Sequence, residues 1–401
     1  MKFKNKQQLS MIDLERIRTE TAGVESVIHL NNAGSALPPD PVVDAVIDYL
    51  RDEARFGGYE VVEKHKDRLS DVYQAASDLI GGAPENWAFV ESATRAWNAA
   101  FTSLKFSPGD RIITTTSEYP SNMGGLLRVK EQLGVEIDVA PNDKNGQVDV
   151  AALQAMITDR TRLVSVVHVP TQSGLINPVY EIGKVLQGTD ILYQLDACQS
   201  VGQLVVNVDE LGCDILSFTG RKFIRGPRGA GMVWASNRAL SAMGNPAGVD
   251  MSGSTWHTRM EIIPHSNASR FEPYEVFYAG KLGLAVALRY AESIGIDHIQ
   301  KRNNMLAGSL RKSLAGLPGV SIHDLGVEMS AIVTFTVDNV CADQIKNHLA
   351  CESINVTTSE MTSAQLDFPE RGLTQVVRAS VHYYNSEKEL EKFIEVLSRL
   401  L

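Results

Sequence analysis

The stretch Cys213–Gly229, CDILSFTGRKFIRGPRG, holds the residues best suited to chemistry. Five mostly apolar residues, Ile215 to Thr219, stop at Gly220, and Arg221 and Lys222 follow at once. A short β-rich run ending in glycine delivers the next side chains to the mouth of a sheet, where open α/β folds keep their ligand sites. Arg221, Arg225 and Arg228 flank Lys222 and would lower its pKa by like-charge repulsion; a partly unprotonated amine is what carbonyl chemistry needs. A solvated basic loop is the plainer alternative. Upstream, the apolar run 191–195 closes on Asp196. If the two runs are neighbouring strands, carboxylate and amine face one crevice.

A lysine to carry an aldehyde, beside a carboxylate to keep a pyridine nitrogen protonated, is the pair that a pyridoxal phosphate enzyme requires. The set Asp196-x-x-Gln199, Ser217-Phe218-Thr219-Gly220-x-Lys222 and Arg225-Gly226-Pro227-Arg228-Gly229 resembles the class V aminotransferase family of fold type I, over roughly Ile28 to Leu400. That family includes cysteine desulfurases, selenocysteine lyases, isopenicillin N epimerase-like proteins and the sulfoxide lyase of ergothioneine synthesis. The resemblance implies a large, doubly wound, mostly parallel sheet domain and a smaller α/β C-terminal domain. The expected units are 1–27, an N-terminal helix packing on the small domain, 28–278, which binds the cofactor, and 279–401. Relatives are dimers in which a neighbour's loop near 270–278 approaches the cofactor phosphate.

The resemblance also assigns residues. Lys222 and Asp196 are the catalytic pair, and Gln199 bonds the cofactor's phenolic oxygen. Ser92-Ala93-Thr94 stands where relatives have Gly-Thr-Thr for the phosphate, at a predicted helix start whose free N–H groups suit an anion. Thr219 and Arg221 complete that cup, Arg221 replacing the usual histidine. Arg95 is either a compensating cation or solvated. Tyr119 follows Glu118 where desulfurases carry Glu-His, and offers the flat face that the histidine would stack on the ring. Thr171 replaces an asparagine near the phenolic oxygen. Arg378, in Val377–Asn385, would take the substrate carboxylate as a bidentate pair; a structural salt bridge is its alternative. Gly34 and Tyr59 are placed on the substrate side.

Relatives that release sulfur use a cysteine on the loop before that arginine, and here 357–374, TTSEMTSAQLDFPERGLT, has none. This predicts a pyridoxal phosphate enzyme other than a cysteine desulfurase. A lyase cleaving a Cβ–S bond is favoured by Phe56-Gly57-Gly58-Tyr59, with an aminotransferase, an epimerase or a non-enzymatic regulatory module as alternatives.

The 401 residues, 44% apolar, suffice for two domains and a large core. A net charge of −10 argues against nucleic-acid or anionic-membrane partners. No long apolar run exists, and four cysteines show no metal-ligand spacing, which predicts a cytoplasmic protein without a metal. His168 is expected to be a core residue, and 251–270, with Trp256, His257 and Arg259, an irregular polar loop.

Overall fold

The computed structural model describes residues 12–401. The first eleven residues of the expected 1–27 unit therefore lie outside the described residues; its helix is Leu14–Thr19, capped by Asp13.

Seven strands form the main sheet: β1 Trp87–Val90, β2 Arg111–Thr115, β3 Glu136–Ala140, β4 Thr161–Val167, β5 Leu192–Asp196, β6 Ile215–Thr219 and β7 Gly231–Ala235. Their order is β1-β7-β6-β5-β4-β2-β3. Strands β2 to β6 pair in parallel, while β7 runs antiparallel to both neighbours. The alternation of side chains explains why such runs read as continuously apolar. Leu216, Phe218, Met232, Trp234, Trp87 and Phe89 enter one core. Ile215, Val233, Ala235, Ala88 and Val90 enter the core on the other face. Both faces are covered, so nearly every position must be apolar, as doubly wound folds require.

The C-terminal ends of β5 and β6 lie beside the start of β7, since Asp196 pairs with Ser217 and Thr219 with Gly231. Val90 also pairs with Gly231. The segments after Val90, Asp196 and Thr219 thus open on the same edge.

One element has a weaker sequence signal than its neighbours, and one segment departs from the sequence reading. A helix, Pro120–Leu133, follows Tyr119 although Gly124 and Gly125 interrupt its apolar pattern. A Cβ at Gly125 would stand 2.7 Å from the Trp97 ring, so close packing sets that residue. Second, 251–270 is not irregular: β8 Ser254–Thr258 and β9 Glu261–Pro264 form an antiparallel hairpin. Its residues are mostly exposed, so no buried face imprinted an alternating pattern.

Beyond the long helix Tyr278–Ile294, strands β10 Val320–Ile322, β11 Ile332–Val337, β12 Thr357–Glu360 and β13 Gln375–Ser380 make an antiparallel sheet of order β10-β11-β13-β12. Arg378 lies on its central strand, opposite Thr334 and Thr357. The N-terminal segment reaches this unit too: Ile28–His29 pairs in parallel with Ile354–Asn355, and Asn31 bridges to Ser380. Asn32 then donates to the Ser380 carbonyl at 2.7 Å. The chain near Gly34 is thereby held between the two sheets.

Candidate active site

A cleft of about 780 Å³ opens at the edge where β5 and β6 end. Asp196, Gln199, Thr219, Arg221 and Lys222 line it. Ser92, Ala93, Thr94, Tyr119 and Thr171 line it as well, as do Cys198 and Arg228. Ten residues named for the cofactor from sequence thus converge on one cleft from five separate connections.

Lys222 sits in the turn after β6 and is buried. Burial, aided by Arg221 and Arg378 and opposed by Cys198 and Asp196, pushes its amine down to about 8. Desolvation leads, because an ammonium loses more than an amine on leaving water. Arg225 corrects the sequence argument: it faces away from Lys222. Its guanidinium is fully buried and donates to the Leu37 carbonyl (2.8 Å), the Tyr383 hydroxyl (2.8 Å) and the Thr21 hydroxyl (2.6 Å). It also lies 4.5 Å from the Tyr384 ring centre.

Asp196 is buried at the tip of β5. Its Oδ1 accepts from the Cys198 N–H at 2.9 Å and its Oδ2 from Asn122 Nδ2 at 2.9 Å. Asn122 was not anticipated, nor was its second partner, Glu118 Oε1. Glu118 is buried, and burial pushes its carboxyl up to about 7 against the hydrogen bonds from Thr114, Asn122 and the Tyr119 N–H. The available sequence signal was the i,i+4 spacing of Glu118 and Asn122.

At the other end, Ser92 caps the helix Ala93–Phe101, its hydroxyl accepting from the Arg95 N–H at 3.2 Å. The first turn of that helix faces the cleft through Ala93 and Thr94. Arg95 does not line the cleft; its guanidinium lies beside Gly248. Arg221 donates to the Gly34 carbonyl at 3.0 Å, tying the Asn31–Ala36 segment to the lysine turn.

Arg378 adjoins the cleft through Thr171, donating to its carbonyl at 2.9 Å and its hydroxyl at 2.6 Å. Asn31 Oδ1 accepts from it at 3.3 Å. Its Nε has no partner, and among the described residues no carboxylate pairs with it. Burial, with Arg221 nearby, pushes the guanidinium down to about 10. A buried cation without an anion calls for one from outside. Gln199 gives a second such signal: its Nε2 donates to the Ala33 carbonyl and to Thr171 Oγ1, while its buried Oε1 has no partner.

Tyr59 stands apart. It is 72% exposed on the helix Gly58–Lys64 and approaches Tyr274, 6.4 Å between ring centres. His168 is buried, and burial pushes it down to about 4. Among the described residues no helix is long and apolar enough to cross a membrane.

These features fit pyridoxal phosphate. A hydroxyl-lined helix start suits a phosphate, a depressed lysine suits an aldehyde, and a buried carboxylate suits a pyridine nitrogen.

The Aminotransferase class-V family profile matches residues 28–393. A probable cysteine desulfurase of Methanothermobacter thermautotrophicus is 26% identical, with 96% of this chain and 98% of that protein covered. A probable cysteine desulfurase of Pyrococcus abyssi is 27% identical, covering 96% and 97%. Among solved structures, the apo cysteine desulfurase of Thermococcus onnurineus superposes with a TM-score of 0.90 at 26% identity, over 98% of this chain and 99% of that one. These full-length relatives overturn the expectation of a C–S lyase, aminotransferase, epimerase or regulatory module, and with it the exclusion of a desulfurase. The cysteine-free segment 357–374 was the ground for that exclusion, and full-length similarity to proteins named cysteine desulfurases outweighs it. With the motif residues gathered in one cleft and a family match over nearly its whole length, the chain belongs to the class V aminotransferase family and uses pyridoxal phosphate.

Proposed function

We propose that the protein is a cysteine desulfurase-type enzyme, taking sulfur from a free cysteine-like amino acid and leaving alanine. The full-length similarity to relatives bearing that name carries this reading. When bound, pyridoxal phosphate supplies an electron sink joined to the substrate nitrogen.

The chain's residues would then divide the work. Ser92, Thr94, Thr219 and Arg221, with the free N–H groups around Ala93, hold the phosphate. Asp196 would keep the pyridine nitrogen protonated, Tyr119 would offer its flat face to the ring, and Gln199 and Thr171 would serve the phenolic oxygen. Lys222 Nζ, largely unprotonated above about pH 8, would hold the cofactor's aldehyde end and is the base placed to accept a proton from the substrate Cα. Arg378, whose Nε has no partner, would hold the α-carboxylate and so orient the substrate Cα, beside the segment at Gly34.

The sulfur acceptor is proposed to be a thiol from outside the cleft. Cys341 and Cys351 are exposed, the first as N-cap and the second as last residue of a helix, Ala342–Cys351, that precedes β12. Cys198 is a neighbour of Asp196 whose thiol burial pushes well up, which disfavours the attacking thiolate. In balance, the Cβ–S bond breaks, the sulfur joins the acceptor thiol as a persulfide, and protons return to carbon to give alanine.

The units 28–278 and 279–401, a cytoplasmic setting and a homodimer belong to the same reading. All four cysteines are free, as a reducing compartment would keep them. Tyr59, outside the cleft of its own chain, would meet substrate across the dimer.

Incubation with L-cysteine, pyridoxal phosphate and a soluble thiol should yield alanine and persulfide in equal amounts. Pyruvate and ammonia, or no product from cysteine, would overturn the reading.

A further inference from the structure

The site holds a second buried carboxylate for which the proposed reaction has no use. Glu118 sits between the end of β2 and the helix Pro120–Leu133, and donors occupy both of its oxygens. Oε1 accepts from Asn122 Nδ2 at 2.9 Å and from the Tyr119 N–H at 2.8 Å. Oε2 accepts from the Thr114 hydroxyl at 2.7 Å and the Ser165 hydroxyl at 3.2 Å. Four donors fill the acceptor capacity of an ionised carboxylate. Among the described residues no lysine, arginine or histidine forms an ion pair with it.

Asn122 joins this group to the site. Its Nδ2 serves Glu118 Oε1 and Asp196 Oδ2 at once, both at 2.9 Å, so the two carboxylates are clamped by one amide. Asp196 is then held from two sides, by Asn122 and by the Cys198 N–H. An ionised carboxylate accepts about four hydrogen bonds, so with two donors in place capacity remains for a donor from outside. Through the Tyr119 N–H, the same glutamate also anchors the residue that presents its ring to the cleft.

We propose that Glu118 is a positioning residue that acts through Asn122 to orient Asp196 and adds negative charge behind it, strengthening the hold on a protonated pyridine nitrogen. The inference rests on the pyridoxal phosphate reading of Asp196. An unpaired buried charge is expensive in an empty site; it becomes useful where a cation arrives one amide away. Burial already pushes Glu118 up to about 7, the direction expected of a carboxylate lacking that cation.

The test uses the full-length protein loaded with pyridoxal phosphate. Glu118→Gln keeps the shape and removes the charge; Thr114→Val removes one donor to Glu118 and provides a milder perturbation. Both should fold, as circular dichroism will show. Glu118→Gln should weaken cofactor affinity about tenfold and lower the pH at which the bound cofactor's absorption band titrates. Thr114→Val should shift both in the same direction by less. Asn122→Ala should reproduce the glutamine effect, and the double variant should add nothing further, because both act on Asp196 through one path. An unchanged band and affinity in Glu118→Gln, or effects that add independently, would overturn the inference. A wild-type protein that takes up no cofactor would instead overturn the reading of Asp196.

Discussion

Burial does more than neighbouring charge to make Lys222 reactive. Desolvation leads in pushing its amine down to about 8, with Arg221 and Arg378 adding to it. The sign of the pH dependence follows. Between about 8 and the ordinary lysine value near 10.4, the unfolded chain binds a proton that the folded apoprotein does not. Stability of the apoprotein should therefore rise with pH across that window, and Lys222→Met should flatten the rise, measured by thermal midpoints from pH 7 to 10. Capture of added pyridoxal phosphate should also increase as pH climbs through about 8. Much of this was legible in sequence, because a lysine after a strand and glycine, and an aspartate closing another strand, carry positional meaning. Glu118 and Asn122 were not, since polar residues at a helix start read as caps or solvated groups until tertiary packing buries them.

The elements that build the phosphate side depend on a close approach of two backbones. A Cβ at Gly231, the first residue of β7, would lie 2.8 Å from the Ser92 carbonyl carbon and 3.0 Å from the Ala93 nitrogen. Gly231→Ala should therefore push the helix start outward, lowering stability by about 1–3 kcal/mol and weakening phosphate binding. The checks are the thermal midpoint and a titration with pyridoxal phosphate, with and without competing inorganic phosphate. The parallel strands were readable because both of their faces are buried. The hairpin β8–β9 was not, because an exposed ribbon, with Trp256 at 75% and Met260 at 91% exposure, leaves no burial pattern. The helix Pro120–Leu133 carries a weaker sequence signal because of Gly124 and Gly125, of which Gly125 serves packing on Trp97 rather than local propensity.

Across the whole molecule, the site is completed by segments far apart in sequence, and Arg225 is the main clasp. It adopts φ +63°, a left-handed conformation uncommon for a side-chain-bearing residue. From there it binds Thr21, Leu37 and Tyr383, joining the lysine loop to the N-terminal segment and the C-terminal unit. Lysine cannot reproduce the three-way fork, so Arg225→Lys should cost roughly 2–4 kcal/mol, seen as a lowered thermal midpoint. The same variant should raise KM more than it lowers kcat, because Arg378 would lose its fixed place relative to Lys222. The sequence named Arg225 as a site cation; only the fold shows it turned the other way, a distinction that composition and spacing do not carry.

The measurement that bears most directly on this account is where the cofactor attaches. The protein would be loaded with pyridoxal phosphate, reduced with borohydride, digested and mapped by mass spectrometry, with Asp196→Asn and Lys222→Ala treated alike. The account predicts one cofactor adduct, on Lys222, absent from Lys222→Ala and much diminished in Asp196→Asn. An adduct on a different lysine, or a wild-type protein that carries none, would contradict it.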